Sequence, residues 1–152
     1  NAAARLKLSH IPYRGAAPAL QDLMGKRIDV VFTSLPSVAG SIRGQLVKPI
    51  AVTSRKRAPG FAELPTIAES GLPQFDVNPW FGLMTAKGTP PDVVARLNAD
   101  ANAVLALPAL QEKLAQQGAT PYPTSPAEFQ QVLDTDVRKW AAVVKASGAQ
   151  LD

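Results

Sequence analysis

Apolar runs and helical patterns alternate through the first half of the chain. Short strand-like runs cover Arg5–Ile11, Ile28–Phe32 and Val47–Thr53, and the second of them is almost continuously apolar and β-branched. Patterns typical of short helices lie between these runs, over residues 18–26 and 37–43. Alternation of strands with helices is typical of crossover units on a parallel sheet. The first half therefore predicts three parallel strands with two helices between them.

The pattern becomes helical in the second half. From Pro91 onward apolar residues recur with the 3.6-residue period of a helix, and two further helical patterns follow. The last helix is predicted to begin after Ser125, because Ser125 and Glu128 have the spacing of a capping box. This change of pattern near residue 76 predicts a boundary between residues 1–76 and 77–152. Each part buries little apolar surface by itself, so we expect each part to be incomplete.

A loop of small residues joins the first predicted strand to the first predicted helix. Gly15, Ala16 and Ala17 present backbone N–H groups with almost no side chain in front of them, and Pro18 suits the first helical position. Unpaired amides and the positive end of the helix dipole favour an anion at such a place. The loop lacks the spacing of a nucleotide phosphate loop, so a carboxylate is the expected ligand. A plain strand-to-helix turn is the alternative.

A second turn with hydroxyl side chains follows the second predicted strand. Thr33 and Ser34 lie there, and Pro36 marks the place where the next helix is expected to begin. Ligands of open parallel sheets bind outside the carboxyl ends of the strands, so both turns could face one ligand. Ser34 then either contacts the ligand or caps the helix. Tyr13, in the first turn, either closes over the ligand or packs its ring on the loop.

The composition excludes several classes of function. The 152 residues are 46% hydrophobic and 18% charged, which is typical of one globular domain. The absence of cysteine excludes disulfides, thiolate metal sites and a cysteine nucleophile. The single histidine, His10, excludes a multi-histidine metal site and confines any Ser-His-Asp triad to its own surroundings. We therefore expect no catalytic residues, no metal and no cofactor.

Charge is distributed unevenly along the chain. Residues 1–76 carry 10 basic and 5 acidic side chains, and residues 77–152 carry 6 and 7. A mildly basic first half suits an anionic ligand. The only basic run, Arg55–Arg57, has no aromatic residues interleaved with it, so we expect no nucleic-acid partner. No apolar run is long enough to span a membrane.

Six short motifs occur in a fixed order along the chain. They are Ile11–Leu20 (Ile-Pro-Tyr-Arg-Gly-Ala-Ala-Pro-Ala-Leu), Asp29–Ser37 (Asp-Val-Val-Phe-Thr-Ser-Leu-Pro-Ser), Ile50–Ser54 (Ile-Ala-Val-Thr-Ser), Leu64–Gly71 (Leu-Pro-Thr-Ile-Ala-Glu-Ser-Gly), Trp80–Leu83 (Trp-Phe-Gly-Leu) and Gly88–Pro90 (Gly-Thr-Pro). Together they resemble the motifs of the tripartite tricarboxylate transporter substrate-binding proteins, the Bug-type receptors. The likeness covers nearly the whole chain.

The resemblance implies an α/β fold of the periplasmic binding protein type, in which two lobes close on a ligand. This chain resembles the carboxyl-terminal half of such receptors. Residues 1–76 would then be the later part of domain two, the ligand-binding α/β lobe, and residues 77–152 the return into domain one. The amino-terminal half, with its signal peptide, would be missing from this chain. A periplasmic location is implied as well.

The resemblance also implies a function and a set of binding residues. Such receptors capture a small mono-, di- or tricarboxylate and deliver it to the membrane permease subunits of the transporter, without catalysis. The ligand-binding residues implied here are Tyr13, Gly15, Ala16, Ala17, Thr33 and Ser34. Many relatives have an acidic residue at the position of Thr33. Its absence favours a plain carboxylate over an amino acid.

Two other classes of protein share features with this sequence. An α/β enzyme would need a nucleophile or base in a strand-end turn, and Ser34 has no partner histidine in the sequence outside His10. An effector-binding domain of a regulator, or a sensor receptor outside transport, would use the same lobed fold. Fold alone does not separate these from a transport receptor.

Overall fold

The computed structural model of the chain describes residues 8–147, which form five helices. The helices are α1 (Ala16–Met24), α2 (Leu35–Arg43), α3 (Pro91–Leu105), α4 (Pro108–Gln116) and α5 (Pro126–Ser147). All five lie where the sequence predicts helices, although α1 and α2 each begin two residues earlier than expected. The described chain divides into two compact units, residues 8–82 with 108–120, and residues 83–107 with 121–147. Helix α4 thus belongs to the first unit.

The predicted strands do not form a sheet within the part of the chain that the structure describes. Much of the first of them, Arg5–Ile11, lies outside the described residues. Ile28–Phe32 is irregular, and Val47–Thr53 forms one isolated parallel bridge, between Val52 and Thr66. In this bridge the Val52 N–H donates to the Pro65 carbonyl at 2.9 Å. The three paired strands predicted from the sequence are therefore not confirmed for residues 8–147.

The absence of hydrogen-bonded strand pairing among the described residues has a physical reason. A strand needs a neighbouring strand to pair its N–H and C=O groups, and a β-branched composition supplies the preference but not the neighbour. No described strand pairs with Ile28–Phe32, so its apolar side chains stay accessible. Phe32 is 69% exposed and Ile50, in the third run, is 71% exposed.

The core of the first unit is built around Phe61. Its side chain is 2% exposed and belongs to a cluster of buried apolar residues, Ala39, Val52, Ala58 and Leu64. Helix α2 adds Leu35 and Ile42 at the edge of this cluster. The cluster therefore joins α2 to the segment of loops and turns that follows it.

The chain returns to this core just after α4, where the backbone of Gly118 lies close to side chains of the core. A Cβ at Gly118 would lie 2.7 Å from Leu35 and 3.1 Å from Phe61, so only a glycine lets the chain pass there. The Arg43 guanidinium lies 5.4 Å from the centre of the Phe61 ring and also donates to the Gln116 carbonyl. The end of α2 is thus connected to the end of α4 across the core.

A reciprocal cap stabilises the turn next to the bridge. The Thr66 N–H donates to the Glu69 carboxylate at 2.8 Å, and the Glu69 N–H donates to Thr66 Oγ1 at 3.0 Å. Arg57 forms an ion pair with the same carboxylate at 3.1 Å. The hydrogen bond from the Thr66 backbone, helped by Arg57, lowers the pKa of Glu69. This capping box fixes a turn whose Thr66 side chain is buried.

The second unit contains the predicted capping box of α5. The Ser125 N–H donates to Glu128 Oε2 at 2.8 Å, and the Glu128 N–H donates to Ser125 Oγ at 3.2 Å. The side-chain amides of Asn98 and Asn102, on α3, donate to the Thr124 carbonyl at 2.8 and 3.0 Å. Helices α3 and α5 contact each other in this unit. The capping-box prediction is confirmed.

The first prediction concerns the close approach at Gly60. Gly60 has φ +69°, and a Cβ there would lie 2.4 Å from the Ala115 carbonyl oxygen. We expect Gly60→Ala to lower the free energy of unfolding both by backbone strain, about 1–3 kcal/mol, and by overpacking, about 1–3 kcal/mol more. Urea unfolding of the whole protein measures the change.

Gly71→Ala is the matched control for this variant. Gly71 also has a positive φ, +112°, but a Cβ there would meet nothing within 4 Å. It should therefore show the strain alone. A loss for Gly60→Ala no larger than the strain of a positive φ, about 1–3 kcal/mol, would contradict the close contact between the Gly60 turn and the end of α4.

Candidate functional site

The turn before α1 is shaped by Gly15. Gly15 precedes the helix with φ +103° and ψ 176°, and its N-cap position carries no side-chain hydrogen bond. Such a backbone conformation favours glycine. Because α1 begins at Ala16, Pro18 is the third helical residue and not the first, which corrects the sequence prediction. Proline fits there because no N–H in the first turn has an acceptor within the helix.

The available amides of this turn are fewer than the sequence suggests. The Gly15 N–H donates to the Tyr13 carbonyl at 2.9 Å, and Pro18 has no N–H. Helix geometry leaves the N–H groups of Ala16 and Ala17 without an intrahelical acceptor. Both amides lie at the positive end of the α1 dipole. A Cβ placed on Gly15 would meet nothing within 4 Å, so the turn is open in front of its backbone.

The second turn brings Thr33 and Ser34 to the start of α2. Ser34 is the N-cap residue, with an extended backbone, but its side chain makes no capping hydrogen bond. Its Oγ lies 2.8 Å from the Ser37 Oγ, with which it shares a hydrogen bond. Thr33 is exposed and Ser34 is half-buried. The Ser34 hydroxyl is therefore not committed to capping the backbone of α2.

The structure places all six predicted binding residues in the first unit. Helices α1 and α2, which follow the two turns, contact each other. The side-chain hydrogen bonds of the predicted residues stay local, from Ser34 to Ser37 and from Tyr13 to Asp22. The structure thus joins the two turns through their helices, while each turn keeps its own hydrogen bonds.

A network of side-chain hydrogen bonds joins Tyr13, Asp22 and Arg27, and the sequence analysis did not predict it. The Tyr13 hydroxyl donates to Asp22 Oδ2 at 2.8 Å, and Arg27 Nη1 donates to Asp22 Oδ1 at 2.7 Å. The Arg27 guanidinium and then the Tyr13 hydroxyl hold the pKa of Asp22 below its ordinary value. The same hydrogen bond to Asp22 raises the pKa of Tyr13. This hydrogen-bond network connects the turn before α1 to the end of that helix.

The end of α1 explains how Arg27 reaches Asp22. Lys26 has φ +57°, its N–H donates to the Leu23 carbonyl, and the Arg27 N–H donates to the Asp22 carbonyl at 2.9 Å. These two bonds define a Schellman motif, in which Lys26 takes the left-handed position that glycine usually holds. Gly25 is the C-cap residue and has an ordinary φ of −75°, so the left-handed residue comes one position later, at Lys26.

A groove in the second unit contains none of the predicted binding residues. Its volume is about 460 Å³, and it is lined by Tyr122, Pro123, Thr124, Glu128, Gln131, Val132, Thr135 and Asp136. The backbone hydrogen bond from Ser125 lowers the pKa of Glu128, which keeps that carboxylate ionised near neutral pH. An anionic lining repels a carboxylate ligand. The groove is therefore a poor candidate for the predicted site.

Neither a cluster of metal ligands nor a single membrane-spanning helix occurs among the described residues. Residues 8–147 contain no group of three or more His, Asp or Glu side chains that could hold a metal ion. In that range no single helix is long and apolar enough to cross a membrane, and only α3 and α4 taken together meet the criteria of length and composition.

Solved structures similar to this chain define its class of fold. The R. palustris protein Rpa4515, solved with adipate, matches with a TM-score of 0.85 and 35% identity over 91% of this chain and 46% of that one. The periplasmic binding protein BugD matches with a TM-score of 0.83 and 38% identity, over 95% and 49%. MatC from Rhodopseudomonas palustris, with bound malate, matches with 0.83 and 28%, over 95% and 50%. The fold of this chain is that of about half of each of these binding proteins.

The family model described as the tripartite tricarboxylate transporter family receptor matches residues 1–149. The chain belongs to this family, and the resemblance stated from its motifs is confirmed. The family is one of substrate-binding receptors and not of enzymes. The chain spans 44% and 43% of the length of two curated relatives that are 36% and 38% identical to it. It therefore corresponds to less than half of each of these two relatives.

The second prediction concerns how the pKa of Asp22 depends on its hydrogen bonds to Arg27 and Tyr13. Because the pKa of Asp22 is lowered on folding, its contribution to stability is fully present above the ordinary carboxyl pKa of about 4. That contribution is lost as the pH falls through the lowered value. We expect Arg27→Gln to raise the pKa of Asp22 more than Tyr13→Phe does, since the Arg27 hydrogen bond is the larger cause. Carboxyl-carbon NMR titration measures both changes.

Arg96→Gln is the control for this titration. Arg96 forms an exposed i,i+4 ion pair with Asp100 at 3.9 Å, in the second unit. It should leave the pKa of Asp22 unchanged. If the pKa of Asp22 has its ordinary value in the wild-type protein, the hydrogen-bond network of Tyr13, Asp22 and Arg27 is contradicted.

Proposed function

We propose that the chain is the part of a periplasmic solute-binding receptor that holds a small carboxylate at the start of α1. The observation that carries this proposal is the pair of amides at Ala16 and Ala17, which have no intrahelical acceptor and lie behind the open turn at Gly15. A carboxylate there would accept their hydrogen bonds and meet the positive end of the helix dipole.

The two turns divide the recognition between them. Ala16 and Ala17 bind the carboxylate through the backbone, and their methyl side chains leave room for the ligand. Thr33 is exposed at the start of α2 and Ser34 carries a hydroxyl free of backbone capping, so both supply hydroxyl hydrogen bonds. Gly15 supplies the backbone conformation of the turn, because its own N–H is bonded to Tyr13.

The ligand class is a small dicarboxylate. Family membership supports a carboxylate, and two structural neighbours, Rpa4515 and MatC, were solved with the dicarboxylates adipate and malate. The residue at position 33 is threonine, which offers no carboxylate to pair with the ammonium group of an amino acid. We therefore assign a plain dicarboxylate and not an amino acid.

Delivery of the ligand is the second half of the proposed function. The family is that of receptors of tripartite tricarboxylate transporters, which supports transfer of the ligand to the membrane permease subunits of such a transporter. The likeness to the periplasmic binding protein BugD supports a periplasmic location. Residues 1–76 would be the later part of domain two and residues 77–152 the return into domain one.

The third prediction tests the backbone site. Ala16→Pro removes one N–H, and proline is favoured at the first helical position, so α1 should still form. A hydrogen bond to a charged group contributes about 1.5–3 kcal/mol, so we expect the Kd for adipate to rise by about ten- to hundredfold. Isothermal titration calorimetry on the whole protein measures this change.

Two further variants complete the test. Ala16→Gly keeps the N–H and should bind adipate within about twofold of wild type, since it costs only a few tenths of a kcal/mol at this end of a helix. Arg14→Ala should also have little effect, because Arg14 is exposed and the proposed site uses the backbone. If Arg14→Ala abolishes binding while Ala16→Pro leaves it intact, recognition depends on a charged side chain and the proposed site is wrong.

A further inference from the structure

We propose that Asp22 is a positioning residue for the carboxylate-binding turn, acting through Tyr13 on the backbone that precedes α1. This inference rests on the proposed function, since it assigns a role in the same site. It gives Tyr13 a different role from closing over the ligand. In this arrangement the phenol is a tether between the turn and the helix.

Tyr13 is bonded at both of its ends. Its hydroxyl donates to Asp22 Oδ2 at 2.8 Å, and its carbonyl accepts the Gly15 N–H at 2.9 Å. One residue thus connects the side of α1 to the glycine from which the helix begins. The Tyr13 ring is half-buried against the surface of the first unit, so its position is restrained by packing as well as by the hydrogen bond. Its position fixes the direction in which the amides of Ala16 and Ala17 point.

Asp22 is itself held in place by the end of the helix. Arg27 binds the second carboxylate oxygen at 2.7 Å, and the Arg27 N–H bonds the Asp22 carbonyl at 2.9 Å. The Schellman motif at Lys26 therefore directs Arg27 back to Asp22. With both oxygens occupied, the carboxylate has one favoured orientation, which is the one that accepts the Tyr13 hydroxyl.

Arg27 has a second effect, on charge. Asp22 lies six residues after Ala16, about 9 Å along the helix axis, which is close enough to repel an anion at the start of α1. The ion pair with Arg27 neutralises this carboxylate. We therefore expect Arg27→Gln to weaken carboxylate binding by a factor that shrinks as salt is added, because screening acts on the uncompensated charge.

A double-mutant cycle with adipate tests the tether. At an ionic strength high enough to screen the Arg27 charge that Asp22→Ala leaves unpaired, we expect Tyr13→Phe and Asp22→Ala each to raise the Kd of the whole protein by about three- to tenfold, which is the range for one hydrogen bond. The double variant should be no weaker than the weaker single variant, because both changes break the same contact. Asp22→Asn keeps an acceptor oxygen and should restore most of the affinity. Asp100→Ala, in the exposed ion pair on α3, should bind as wild type does.

Hydrogen exchange of the Gly15 amide, without ligand, gives an independent measurement. Tyr13→Phe and Asp22→Ala should both speed this exchange, because the carbonyl that holds the Gly15 N–H is no longer fixed. Asp100→Ala should leave it unchanged. Wild-type exchange in both turn variants would overturn the positioning role, whatever the ligand.

The outcomes separate this inference from the proposed function. A loss in Tyr13→Phe without a loss in Asp22→Ala would mean that Tyr13 touches the ligand directly, which overturns the tether. Additive losses in the double variant would overturn it as well. If wild-type protein binds no dicarboxylate, the proposed function fails, and Gly15 exchange alone then decides whether Asp22 positions the turn.

Discussion

The packing of Phe61 against the backbone of the returning chain determines the first unit. The ring can be buried because two glycines, at positions 60 and 118, let the segments around it approach to distances that a Cβ would forbid. Helix α2 then covers the ring through Leu35 and Ile42, and Arg43 extends the contact to α4. A side chain at position 60 or 118 would push α4 away from the core. The unit therefore depends on two small residues as much as on the aromatic side chain.

The candidate site depends on that unit through α1. Ala19 and Leu20 are the buried residues of this helix, and they anchor it to the unit from the side opposite its solvent-facing residues. A helix held in this way presents the amides of its first turn in a fixed direction, so that a ligand pays little to order them. The hydrogen bond from Tyr13 to the Asp22 carboxylate, on α1, adds a second fixed point just before the helix begins. In the proposed site, recognition by the backbone would thus depend on side chains that do not touch the ligand.

The sequence predicted the helices better than the strands, for a physical reason. A helix such as α5 satisfies its own backbone, so the Ser125 capping box and the apolar period were enough to locate it. A strand needs a partner elsewhere in the chain, and the β-branched run at Ile28–Phe32 carries no information about whether one is present. The candidate site residues rest on motifs and stay a prediction. The Asp22–Arg27 contact could not be predicted, because it depends on the left-handed conformation of Lys26, which a lysine does not signal.

The uncovered extended segments have a consequence for how the chain behaves in solution. Val30 and Phe32 are 41% and 69% exposed, and Phe81 and Leu83 are 82% and 84% exposed, on extended segments that form no sheet among the described residues. Such segments are templates for pairing between molecules. We therefore expect self-association through these exposed apolar runs to grow with protein concentration, because the net charge of +4 opposes it only weakly once salt is present.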